Sequence, residues 1–199
     1  MAIGLAIAAV CLATASCALL SPPKHKPVEK AMLDQVPPDV PHRDSHSNTL
    51  LVFPPQTASI YDTKQMAYRT QPHEVAYFSE REWGETPSEM LRPLLVKTLE
   101  KTGAFDAVLT APYTGRYTRA LRTEILELMQ DFTSQPATLV LTLRFQLTDY
   151  EGQQVLGTRE VAVRKPIEQG TSYAGVVAAN EATVEALRQV AAFALEKGD

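Results

Sequence analysis

The single tryptophan, Trp83, stands among three carboxylates, Glu80, Glu82 and Glu85. Paired carboxylates beside an aromatic ring are the groups that glycoside hydrolysis uses. The same set suits a solvated acidic loop whose indole anchors it to a helix through a large apolar area, and that plainer reading is preferred. A second cluster, Arg116, Arg119 and Arg122 with Tyr113 and Tyr117 nearby, carries guanidinium groups of the kind that bind lipid headgroup phosphate or an acidic partner. A plain charged strand edge is the preferred account of that cluster. Of the histidines, His25, His42 and His46 fall in a proline-rich stretch, where a helix aligning His42 with His46 is disfavoured. No metal site is expected there, and His73 belongs to a turn. The sequence contains no G-x-S-x-G elbow, phosphate loop, dinucleotide fingerprint or H-E-x-x-H pair, so no catalytic residue and no cofactor is assigned.

The groups that remain must be positioned by a chain of 199 residues, 45% apolar and 21% charged, which fits one folded domain. A net charge of -4 and a pI of about 5.6 argue against nucleic acid as a partner. Residues 1–16 are apolar or small and carry no charged side chain, the pattern of a signal peptide. The segment runs through Thr14, Ala15 and Ser16 into Cys17, similar to the site cleaved by the lipoprotein signal peptidase. Cys17 is therefore the expected lipidated first residue, and since Cys11 leaves with the signal, no disulfide remains possible. Acylation of this kind anchors a protein stably. Ala18, where an Asp would favour retention at the inner membrane, points to the periplasmic side of the outer membrane. Residues 17–48 hold Pro22, Pro23, Pro27, Pro37, Pro38 and Pro41 and read as a tether.

The domain is expected over residues 49–199. Leu50 to Phe53 form a short buried strand stopped by Pro54 and Pro55. Strands at Gln65 to Arg69 and Glu74 to Ser79 flank a turn at Thr70 to His73. Thr86, Pro87, Ser88 and Glu89 mark a helix start with a capping box, and Gly103 marks its stop. Residues 118–132 are ambiguous, fitting either a helical face or a strand in which Leu121, Thr123 and Ile125 are followed by a bulge before Leu126 and Leu128. The alternation of Leu139, Leu141, Leu143, Phe145 and Leu147 predicts a half-buried antiparallel strand, returned by a turn at Asp149 to Gly152 into a strand over Gln153 to Arg164. An Ala-rich helix from about Tyr173 to Lys197 completes a two-layer α+β domain, a mainly antiparallel sheet carrying two helices.

Residues Leu50 to Leu195 resemble the ABC-type transport auxiliary lipoprotein family, associated with MCE (mammalian cell entry) lipid-transport systems and paraquat-inducible operons. The resemblance is carried by the order and spacing of Met66 to Thr70, Val75 to Phe78, Trp83 with the capped helix to Phe105, Tyr117 to Phe132, the alternating strand to Asp149, and Ala178, Ala179, Asn180 and Ala182. It implies a strand at Tyr117 to Phe132, no catalysis, and partners in an MCE-domain protein and its ABC transporter. Contacts would come from the short hairpin, the Trp83 loop and the arginine cluster, with Tyr68, Arg69, Trp83, Arg116 and Arg119 as candidate partner-binding residues. A homo-oligomer remains open. The alternatives are a structural envelope lipoprotein without a transporter and, further away, a secreted hydrolase using the Trp83 loop.

Overall fold

The computed structural model describes residues 27–44, 48–149 and 154–197. The signal segment and Cys17 lie outside the described residues, as does the turn after Asp149. In chain order the elements are β1 (Glu29–Ala31), β2 (Thr49–Val52), β3 (Gln56–Thr57), β4 (Gln65–Arg69), β5 (Ala76–Trp83), α1 (Pro87–Glu100), β6 (Ala107–Thr110), β7 (Arg119–Asp131), β8 (Thr138–Asp149), β9 (Val155–Pro166) and α2 (Ser172–Lys197).

The α+β class and the two helices are as the sequence implies. The sheet is organised around β7. Along one side β7 pairs antiparallel with β8, and β8 pairs antiparallel with β9. Along the other side, three short strands share β7 end to end, all parallel to it: β2 at Arg119 to Leu121, β3 at Glu124 and Ile125, and β4 at Gln130 and Asp131. Beyond them β6 adds to β2, β5 to β4 and β1 to β5. The long pairings are antiparallel, whereas β5 alone among the short strands joins antiparallel, so the sheet as a whole is mixed.

The window that periodicity leaves open is a strand. Ile125 faces Leu143 while Glu127 faces Thr142, so Leu126 is the extra residue of a bulge. The bulge keeps Leu121 and Ile125 before it, and Leu128 after it, on the same buried face. That face joins Leu139, Leu141, Leu143, Phe145, Leu147, Val161 and Val163 under the helices in one core. α1 starts where expected: the Glu89 carboxylate accepts the Thr86 N–H at 2.8 Å and the Thr86 hydroxyl at 2.7 Å. α2 packs closely because its inner face is small. Ala178, Ala179, Ala182, Ala186 and Ala194 are all buried, and a side chain at Gly175 would run into Gln130.

One boundary differs from the sequence reading. Of the stretch taken as tether, residues 29–44 pack onto the domain. β1 pairs with β5, and Ala31 and Leu33 are buried in the core. Asn180 of α2 accepts the Asp34 N–H at 3.0 Å and donates to the Met32 carbonyl at 3.0 Å. Lys101 donates to the Pro37 carbonyl at 2.9 Å, Arg188 pairs with Asp39 at 2.8 Å, and the Arg43 side chain donates to the Leu195 carbonyl at 3.1 Å. Prolines suppress local hydrogen bonding, so this strap bonds to remote groups instead. Gly103 is required for its passage: φ is +66°, and a Cβ there would collide with the His42 ring. The folded unit thus begins near residue 29, not 49.

Candidate functional site

The sequence-derived candidates do not converge. Arg69 pairs with Asp131 at one end of β7, whereas Arg119 opens β7 at the other end. Twelve residue steps at about 3.3 Å separate those ends by roughly 40 Å. Tyr68 packs its ring against Phe78 at 4.5 Å and edge-on to Phe132 at 6.2 Å, forming an aromatic corner. Asp131 is held tightly: Arg69 bonds one oxygen, and the Thr133 N–H and hydroxyl donate to the other at 2.9 and 2.6 Å. The Arg69 guanidinium, followed by the Thr133 donors, holds the Asp131 carboxyl well below the usual carboxylate range against the opposing effect of burial.

Trp83 is 3% exposed and lies in the main core. It is the packing anchor of the plainer reading and offers no surface to a partner. Its neighbouring carboxylates do not converge on a concavity either: Glu82 pairs with Lys30 across the β1–β5 ladder, and Glu80 and Glu85 are exposed. The hydrolase reading has no site to stand on there. Arg116 lies exposed in the segment between β6 and β7. Among the described residues, no three or more His, Asp or Glu side chains gather as a metal site, and no helix is long and apolar enough to cross a membrane.

A groove of about 470 Å³ opens on the sheet face away from the helices. Its wall comes from the break between β2 and β3. Val52 pairs with Leu121 and Gln56 with Glu124, so four steps on one strand match three on the other. Pro54 and Pro55 occupy the excess, because neither can donate to a ladder. Phe53, at the start of the break, lies under the Arg122 guanidinium, 3.9 Å from the ring centre. The floor is two cross-strand rows. In the first, Arg122 of β7 faces Gln146 of β8, which faces Thr158 of β9 and donates to its hydroxyl at 3.2 Å. In the second, Glu124 faces Arg144, which faces Glu160, with ion pairs of 3.6 and 3.1 Å. The first row carries one unit of positive charge and the second one unit of negative charge. Of the groove residues, Arg122 stands out in the sequence as a charge; Phe53 reads there only as part of a buried strand.

The fold and groove define a two-layer α+β domain with one sheet face sealed by helices and a polar groove opening on part of the other, beside a small buried cluster of Leu51, Ala111 and Ala120. A family model described as the ABC-type transport auxiliary lipoprotein component matches residues 32–192, and the chain belongs to that family. The match starts inside the strap, in agreement with its place in the folded unit. Among solved structures, protein XCC0632 from Xanthomonas campestris, assigned to DUF330, is similar over 86% of this chain and 96% of its own at 21% identity, with a TM-score of 0.73. A second crystal structure, of an uncharacterized protein, covers 84% of this chain and 98% of its own at 13% identity, with a TM-score of 0.66. Both likenesses show the fold. No curated protein matches the chain. Membership makes this a lipoprotein of the cell envelope and an auxiliary component of ABC-type transport.

Proposed function

We propose that the protein is a non-enzymatic, lipid-anchored auxiliary component of an MCE/ABC-type lipid-transport system, which works by binding the MCE partner from the periplasmic side of the outer membrane. The observation that carries this reading is the family match over residues 32–192, which spans nearly the whole folded unit. Anchoring is assigned to Cys17, after removal of residues 1–16. With the strap docked from Glu29 onward, the chain from Cys17 to Val28 is the tether. Its twelve residues reach at most roughly 42 Å at about 3.5 Å per residue, far less than a tether running to residue 48 would allow. The domain therefore works close to its membrane, and a partner must reach it there.

Of the five candidate contacts, Trp83 is withdrawn because it is buried. Arg116 is the first to test because it is exposed in a connection, where binding residues concentrate. Tyr68, Arg69 and Arg119 follow as partly exposed groups at the two ends of β7. The experiment is in-cell crosslinking of the full-length lipoprotein in its native host, with mass spectrometry of the captured proteins. Recovery of an MCE-domain protein or its transporter, reduced by Arg116→Glu, is expected. Reproducible recovery of self-crosslinks or unrelated envelope proteins only, with the partners expressed, would replace this reading with a structural role.

A further inference from the structure

The geometry points to a ligand for the Phe53–Arg122 groove: a phosphate ester that carries an ammonium group a short distance away, as in a phosphoethanolamine headgroup. Three observations converge. First, Arg122 has its flat face covered by Phe53 and makes no ion pair among the described residues, so the edge of its guanidinium is free for a bidentate oxyanion. Second, the neighbouring row holds two carboxylates, Glu124 and Glu160, against one guanidinium, Arg144. One carboxylate charge is left over there to meet a cation. Third, alternate residues of a strand are about 7 Å apart, so the free positive and surplus negative charges lie side by side on one floor. A purely anionic group would be drawn to the first row and repelled by the second; a zwitterion satisfies both.

The remaining lining fits the rest of such a molecule. Gln56, Gln146 and Thr158 offer hydrogen bonds to ester and glycerol oxygens, and Phe53, Pro54 and Pro55 offer an apolar wall. A lipid source for the headgroup rests on the transport reading above; the charge pattern of the groove does not. A soluble phosphoethanolamine ester presents the same chemistry.

The test is native mass spectrometry of the full-length lipoprotein released from detergent micelles doped equally with phosphatidylethanolamine and phosphatidylglycerol, beside calorimetric titration with free glycerophosphoethanolamine. The expected result is several-fold more phosphatidylethanolamine retained than phosphatidylglycerol. Arg122→Gln lowers that retention about tenfold or more, the cost of losing a charge-assisted pair. The double variant Glu124→Gln with Glu160→Gln removes the preference for phosphatidylethanolamine and shifts retention toward phosphatidylglycerol, because Arg144 then stands unpaired beside Arg122. Thermal melts of each variant, which alter exposed or half-exposed side chains only, confirm that folding is intact. Tight titration by glycerophosphoethanolamine without lipid retention would support the same chemistry from a soluble source. Equal retention of both lipids, retention unchanged in Arg122→Gln, or failure of every probe to bind at millimolar concentration would overturn the assignment. Partner crosslinking by the same variants separates the two proposals: capture that persists while headgroup binding is lost, or was never present, leaves the auxiliary role standing.

Discussion

At the groove, the two faces of the β7–β8–β9 sheet are built from the same strands and differ sharply in burial and charge. On one face Leu121, Ile125, Leu143, Phe145 and Leu147 are each at most 1% exposed beneath the helices. On the other, the residues interleaved with them are Arg122, Glu124, Arg144 and Gln146, and they form charged and amide rows in an open groove. Around the groove a period of two separates these sets, and the bulge at Leu126 keeps Leu128 on the helix-covered face; towards both ends of β7 the second face is buried as well, at Ala120 and at Met129 and Asp131. Burial at these positions is concentrated on the covered face, which leaves the groove residues free to vary their chemistry at little structural cost.

The largest effect should come from the covered face. Phe145 is fully buried and meets Phe193 of α2 edge-on, with ring centres 5.0 Å apart. Phe145→Ala is expected to cost about 3–5 kcal/mol in chemical denaturation. A loss similar to that of a substitution at Arg144, one residue away, would break the distinction between the faces.

Next is the ion pair closing the far end of β7. Asp131 is buried and bonded by Arg69 and Thr133, and Asp131→Asn is expected to cost about 2–3 kcal/mol. Because the folded-state value is depressed below the ordinary 3.8, the stabilisation is fully present above that pH and is lost as pH falls through and below it. Denaturation midpoints measured from pH 6 to pH 2 should fall more steeply in the native protein than in Asp131→Asn. Parallel curves would remove Asp131 as the source.

The strap offers a third, smaller test. Asn180→Ala removes the bonds to Asp34 and Met32 and is expected to cost about 1–2 kcal/mol. Amides of residues 29–34 should exchange faster while those of β8 do not. Uniform acceleration would mean that the strap is inseparable from the sheet's stability.

What the sequence discloses follows from how local each signal is. The long strands are legible because alternation repeats over many residues, and α1 because Thr86 and Glu89 bond each other within one turn. β1, β3 and β6 span two to four residues in parallel pairings, too short to show a period. The strap has the composition of a linker, while its partners lie elsewhere in the chain: Asp34 bonds a residue 146 positions away. The groove follows the same rule. Arg122 stands out as a charge, but its significance depends on Phe53, brought beneath it by the β2–β7 register, and on Glu160, set two strands away. Trp83, conspicuous by type, is explained by packing.

The smallest effect on stability belongs to the open face and is the sharpest probe of it. Arg144 bridges Glu124 and Glu160 with its side chain about half exposed, so solvent and salt screen both pairs and Arg144→Ala should change unfolding free energy by no more than about 1 kcal/mol. Raising the salt concentration should shrink even that difference. The substitution leaves two carboxylates facing each other across the row without the cation between them, so what cost there is comes from their repulsion and should disappear when Glu160→Gln is added. A loss of several kcal/mol, insensitive to salt, would mean that the groove floor is structural after all and that the two faces share the work of holding the sheet together.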